Sequence, residues 1–214
     1  MIRFQISALA AVLVCCAPSR LAVSDVDRYR AQSAQPYRNT VDVGDVDVDP
    51  MVEAMGGFMR LASEGKKEVT LRIDSHGGGI FLGLKWMRLM EDVKKANGVH
   101  VTCIVDGMAA SMAAVILESP LCDTRLATSR SMILFHNGSA GVQGNAEEMR
   151  QAVAFLEALN TAMAQVVSAR LGISAESYRA RIAHGDWPLA MPEALEANVI
   201  DGVVSPADIA PPVP

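Results

Sequence analysis

Gly107-Met108-Ala109-Ala110-Ser111-Met112 decides how the rest of this chain is read. Before it runs Val99-His-Val-Thr-Cys-Ile-Val105, β-branched and largely apolar, which reads as a buried strand. After it runs Met112-Ala-Ala-Val-Ile-Leu-Glu118, with the composition and length of a short packed helix. A serine at a strand-to-helix junction carries its hydroxyl at a helix N-terminus, where unpaired backbone N–H groups can hold a developing negative charge. Gly107, Ala109 and Ala110 are small enough to let a substrate backbone approach closely. Serine is also a good N-cap, and taken alone the segment reads first as a helix cap.

The same alternation of strand and helix continues on both sides. Val41-Asp-Val-Gly-Asp-Val-Asp-Val48 alternates apolar with polar residues, as a half-exposed strand does. Asp49-Pro50 then opens a helix, with Asp49 as cap, and Met51, Met55, Phe58, Met59 and Leu61 keep helical spacing along it. Glu68-Val-Thr-Leu-Arg-Ile73 is a second strand that runs into Asp74-Ser75-His76-Gly77-Gly78-Gly79, and a helix over 80–96 follows. Beyond the central strand and helix come one strand over 124–135, a long helix over 145–171 and a short one over 176–183. Ala146, Met149, Val153, Leu156, Leu159, Met163 and Val166 form one stripe on the long helix. Elements alternating at this spacing make an α/β fold of parallel strands and crossover helices.

At 214 residues and 50% hydrophobic, the chain has core enough for one ordinary domain. Its 19 Lys and Arg against 24 Asp and Glu leave a net charge of −5 without a basic cluster, which argues against nucleic acid as a partner. Residues 1–16 read as an export signal, with a positive start at Arg3 and a short apolar run from Ile6 to Val14. Leu13-Val14-Cys15-Cys16 is also similar to a bacterial lipoprotein signal in which Cys16 is lipidated, although Cys15 stands where a small residue normally precedes. Residues 17–39 are a polar linker, 40–205 the folded domain, and 206–214 a proline-rich tail. Export would put Cys103 and Cys122 in an oxidising compartment. A strand–helix–strand unit returns them to the same end of the sheet, so a disulfide is open to them; two buried free thiols are the preferred reading.

Three further segments bear on Ser111. Gly77-Gly78-Gly79 closes a strand and opens a helix, so it can offer unobstructed backbone N–H groups. Ser131-Met-Ile-Leu-Phe135 leads into His136-Asn137-Gly138, which puts a histidine at the carboxyl end of a strand. Asp186 lies in the turn Gly185-Asp186-Trp187-Pro188 beside a bulky aromatic. Singly, each reads better as an ordinary turn or surface loop. Together, Ser111, His136 and Asp186 are the residue types required as nucleophile, base and orienting carboxylate. His184, two residues before Asp186, is a rival base, and His100 inside a strand reads as structural. Nothing in the pattern calls for a cofactor or a metal.

From about 40 to 204 the chain resembles the proteolytic subunit of the Clp protease. The matching segments are Ile73-Asp-Ser-His-Gly-Gly78, Gly107-Met-Ala-Ala-Ser-Met112, Ser129-Arg-Ser-Met-Ile133 with His136 beyond, Gly141-Val-Gln-Gly144, and Asp186 followed by Pro192-Glu-Ala194 and Val199-Ile-Asp-Gly-Val203. The resemblance implies a Clp/crotonase-type superhelix of strand–strand–helix repeats, with a parallel sheet and a projecting long helix. It implies Ser111 as nucleophile, His136 as base, Asp186 as its partner, and an oxyanion hole from the N–H groups of Gly77 and Met112. Gly78, Gly138 and Gly141 would line the peptide groove, and stacked homo-oligomeric rings would enclose it. His76 stands where the family usually has proline, and Asn137-Gly138-Ser139 replaces its glutamine-proline. The family is cytosolic and fed by an ATP-driven unfoldase, whereas the signal segment implies a periplasmic or envelope peptidase acting on peptides or unfolded segments without one. A serine–lysine pair with the lysine after the serine is excluded, since Lys66, Lys67, Lys85, Lys94 and Lys95 all precede Ser111. Two other readings of the fold are an inert assembly or binding module and an acyl-CoA enzyme.

Overall fold

Alternation of apolar and polar side chains fixes the face of β2 (Glu68–Ser75): Val69, Leu71 and Ile73 are buried, while Thr70 and Arg72 are half-buried. In the computed structural model, which describes residues 39–205 and Ile209, β2 pairs in parallel with β1 (Thr40–Val43) on one side and β3 (His100–Ala110) on the other. β4 (Thr124–Thr128) and β7 (Gly202–Val204) extend the sheet in the order β1-β2-β3-β4-β7. β5 (Met132–Phe135) pairs with the far half of β3, and β6 (Trp187–Leu189) runs antiparallel to β5. The helices are α1 (Val48–Ser63), α2 (Ile80–Asn97), α3 (Met112–Leu117), α4 (Ala146–Leu171), α5 (Ala175–Ile182) and α6 (Met191–Glu196). This is the parallel-sheet α/β fold with crossover helices that the pattern implies. The signal segment, Cys16, and most of the linker and tail lie outside the described residues.

Several boundaries differ from expectation for identifiable reasons. The first strand stops at Val43, and α1 is capped by Asp47, not Asp49: the Asp47 carboxylate accepts from Val48 N–H at 2.7 Å. Asp49 falls inside the first turn, where its charge opposes the helix dipole favourably. The stretch 124–135 is two strands. The Ser131 hydroxyl fills the break, donating to Val105 O at 2.7 Å, meeting Thr128 Oγ1 at 2.8 Å and accepting from Gly107 N–H at 3.2 Å. β4 therefore covers the first half of one β3 edge and β5 the second half, which carries β3 on to Ser111.

α4 is anchored only toward its end. Asn145 and Glu148 close a capping box at its start, yet Met149, Val153 and Phe155 are exposed, and burial begins at Met163 and continues through Ala164, Val167 and Leu171. The apolar stripe is thus buried in its lower part alone, and the upper part projects, as the resemblance implies for the long helix.

Toward the end of β3 away from Ser111, Arg125 of β4, in register with Cys103, is buried and joins two carboxylates. It reaches Glu118 at the end of α3 at 2.5 Å and Asp201 before β7 at 2.6 Å. Burial pushes the Glu118 carboxyl up to about 8, against the opposing attraction of Arg125. These contacts tie the C-terminal end of α3 to the β4–β7 side of the sheet.

Cys103 and Cys122 form a disulfide, with Cα atoms 5.5 Å apart, and both residues are fully buried. The preferred reading as free thiols is overturned: β3 and the turn after α3 converge at the same end of the sheet. Closing a loop of this length, 19 residues apart in sequence, stabilises a chain by roughly 3 kcal/mol. The Cys103→Ala/Cys122→Ala variant is expected to melt about 6–12 °C lower. Calorimetry finding its Tm within about 2 °C of wild type would show that the bridge contributes little.

Candidate active site

Ser111 terminates β3 and precedes α3 with φ 55° and ψ −123°, a left-handed conformation rarely taken by residues other than glycine. Its N–H donates to Leu134 O of β5 at 2.8 Å, which pins the turn. The bend turns the side chain out at the strand end, the arrangement of a sharp nucleophile-bearing elbow. Met112 just beyond is fully buried and lies where a Cβ on Gly83 of α2 would be, so Gly83 makes the room that locks α3 in place.

The sheet register brings the other two candidates to the same corner. Ala110 is paired with Leu134, and His136 leaves the end of β5 two residues further on. The antiparallel ladder pairs Phe135 with Trp187, so its next position faces His136 with Asp186. Phe135, Tyr178 and Trp187, next to this pair in sequence or packed on those neighbours, form an aromatic cluster, with ring centroids 5.3 Å apart for Phe135–Trp187 and an edge-to-face contact at 5.9 Å for Phe135–Tyr178. Arg181 lies 4.6 Å over the Trp187 ring. Ser111 and His136 are half-buried and Asp186 is exposed. Among the described residues, no hydrogen bond joins the hydroxyl, the imidazole and the carboxylate to one another. The three strand ends converge; the side chains stand unlinked.

Gly77 packs directly against the serine: a Cβ there would lie 2.6 Å from Ser111 Cβ and 3.0 Å from Met112 N. Its N–H, however, donates to the Ser75 hydroxyl at 3.1 Å. Gly78 bridges Val46 on the side away from Ser111, and among the described residues neither its N–H nor that of Met112 finds an acceptor. Gly138 N–H is taken by Asn160 Oδ1 at 2.8 Å, and Asn137 Nδ2 donates to Ile182 O at 3.1 Å, so the chain just past His136 is fastened to α4 and α5. Gly141 lies in the exposed segment 139–145, with open space around it.

The rival groups lie elsewhere. His100 starts β3, at the opposite end from Ser111, and meets Thr124 Oγ1 at 3.2 Å. Lys67 and Lys94 are held at that same far end, Lys67 on Asn97 O at 2.6 Å and Lys94 on Asp123 at 2.6 Å. His184 is exposed on the loop before β6. Two residues not singled out in the sequence contact the glycine loop, Ser75 and Asp45; no spacing signal links them, since they lie 30 positions apart.

The profile of the Clp protease family matches residues 41–207. The chain belongs to the Clp protease family. Among its relatives, the ATP-dependent Clp protease proteolytic subunit 3 of Rhodococcus jostii is 31% identical, over 81% of this chain and 85% of that protein. The ATP-dependent Clp protease proteolytic subunit 1 of Streptomyces coelicolor is 30% identical, over 76% of this chain and 72% of its own length. The ATP-dependent Clp protease proteolytic subunit of Porphyromonas gingivalis is 27% identical, over 72% and 67%. Membership of the Clp family makes this chain a serine peptidase by class. The matched span takes in all three strand ends at the Ser111 corner and every strand of the sheet but for Thr40, the first residue of β1.

Proposed function

We propose that this protein is a serine endopeptidase that cleaves peptides or unfolded protein segments through Ser111, His136 and Asp186. The observation that carries the reading is the convergence of the ends of β3, β5 and the start of β6, which brings three residues distant in sequence to neighbouring strand ends. His136 takes the proton of the Ser111 hydroxyl as its oxygen attacks the scissile carbonyl carbon. The resulting oxyanion is held by backbone N–H groups. We assign these to Met112 and Gly78 rather than to Gly77, because the Gly77 N–H is already committed to Ser75. Collapse expels the peptide amine with the proton from His136, and water releases the acyl group by the same steps in reverse. Asp186 orients the imidazole. Since the triad stands unlinked, substrate binding or assembly has to draw the imidazole into line, as catalytic hydrogen bonds often tighten only in the complex. That same separation is what an inert assembly module would have, so turnover is the deciding measurement.

The substrate strand would lie along the open segment 139–145, where Gly141 has free space around it; the side-chain-free faces of Gly78 and Gly138, expected to line the groove, are instead filled by Val46 and by Ile80 and Asn160. The exposed apolar upper half of α4 supports a homo-oligomer in which that surface is covered. A buried disulfide supports an oxidising location, in keeping with a signal segment at 1–16 and a lipid anchor at Cys16. In a periplasm or envelope no ATP is at hand, so the enzyme would act without an unfoldase on chains that are already unfolded. The test is degradation of unfolded, fluorescently labelled casein by the purified protein in the absence of ATP, alongside cell fractionation. Turnover without ATP and recovery in the envelope are expected. Protein found solely in the cytosol would return the reading to an unfoldase-fed enzyme, and no turnover by the assembled protein would favour the inert module.

A further inference from the structure

The glycine loop after β2 is held from the side opposite Ser111. Beyond the end of β1 the chain continues beside the loop: Val46 N–H donates to Gly77 O at 2.7 Å, and Gly79 N–H donates to Val46 O at 2.9 Å. The peptide between Gly77 and Gly78 is planar and trans, so a carbonyl turned toward Val46 turns the Gly78 N–H the other way. In a sheet ordered β1-β2-β3, the other way is toward the end of β3, where Ser111 sits.

Asp45 supplies a second hold. Its Oδ1 accepts from His76 N–H at 2.7 Å and from the Ser75 hydroxyl at 3.2 Å. The Ser75 oxygen accepts in turn from Gly77 N–H at 3.1 Å. The relay Asp45–Ser75–Gly77 therefore fixes the peptide planes that precede Gly78. Such fixing is needed, because Gly77 (φ 96°) and Gly78 (φ 141°) have little steric preference of their own. An ionised acceptor suits the task, since charge-assisted bonds to backbone N–H groups are stronger than neutral ones. Asp45 itself is braced: Asp47 N–H donates to Asp45 O at 2.8 Å, and Asp47 caps α1.

The geometry points to Asp45 as the positioning residue of the oxyanion loop, acting through Ser75 and the His76 and Gly77 amides to aim the Gly78 N–H at the Ser111 corner. It touches neither the Ser111 hydroxyl nor the His136 imidazole. This role rests on the reading of Gly78 as an oxyanion donor, and it adds a side chain on which that donor depends. Loss of Asp45 should therefore weaken transition-state binding and leave ground-state peptide binding alone.

The experiment compares Asp45→Ala, Asp45→Asn, Ser75→Ala and the Asp45→Ala/Ser75→Ala pair in the full-length protein. Asp45→Ala is expected to lower kcat by on the order of 10- to 100-fold, part of what deletion of a whole oxyanion donor costs, with KM within about twofold. Affinity for a peptide boronate, whose tetrahedral adduct uses the oxyanion hole, should fall in proportion. Affinity for a non-cleavable substrate peptide should not. Asp45→Asn keeps the acceptor oxygen and should restore kcat to within about threefold of wild type. Ser75→Ala should match Asp45→Ala, and the pair should be no worse than either, because both break one relay. If Asp45→Ala does not fold, Ser75→Ala carries the same expectation. Unchanged kcat and boronate affinity in both single variants would overturn the proposal, as would equal losses of peptide and boronate affinity without rescue by Asn. An inactive wild type would instead remove the peptidase reading beneath it, and this role for Asp45 with it.

Discussion

Ser111→Ala is expected to abolish labelling by a fluorophosphonate probe and to lower peptide turnover by about 10⁴-fold or more, the scale seen when the nucleophile of a Ser-His-Asp group is removed. The expectation comes from the backbone before it comes from the side chain. A non-glycine residue at φ 55° is held in an unfavourable conformation, at a cost of about 1–3 kcal/mol that persists where the surroundings over-determine it. Here they do: Leu134 O fixes the N–H, Val115 N–H donates to Ser111 O at 3.2 Å, and buried Met112 blocks any slide of α3. The substitution removes one oxygen and keeps this framework, so Tm should be almost unchanged. Labelling that persists in the alanine variant would place the reactive hydroxyl elsewhere and sink the mechanism.

The second large effect is expected at His136. His136→Ala should reduce kcat by about 10⁴-fold while the assembly stays intact, whereas His184→Ala should remain within about twofold of wild type. The register decides between the two histidines: His136 follows β5 at the position that faces Asp186, while His184 shares the loop of Asp186 and follows no strand that reaches Ser111. Asp186→Asn should cost less, about 10²-fold, because an exposed carboxylate acts through a high dielectric. A profile with His184→Ala inactive and His136→Ala active would require a different base.

The strand ends were legible because period-two burial in Glu68–Ser75 and the β-branched run before Ser111 leave one consistent register. The site candidates were legible because each follows such an end. What could not be read depends on single polar atoms. One hydroxyl, that of Ser131, closes the break between β4 and β5, bonding Val105 O, Thr128 Oγ1 and Gly107 N–H where the polar run Thr128-Ser-Arg-Ser131 interrupts 124–135. Choosing between Gly77 and Gly78 as an oxyanion donor requires knowing which way one peptide plane faces, and Val46 and Asp45 set that from about 30 residues away, Asp45 partly through Ser75. The cysteine pair is misread as free thiols for another reason: buried thiols and a buried disulfide need the same apolar surroundings. The stripe on α4 is apolar throughout, so only packing shows where its cover by the domain stops.

The bridge between Cys103 and Cys122 makes the serine-bearing segment a closed covalent ring. A single cut by a neighbouring molecule inside that ring would add one water to the mass and separate nothing: both pieces would migrate as one band until a reductant is added. A population of self-nicked, inactive enzyme would therefore pass for intact protein on a non-reducing gel.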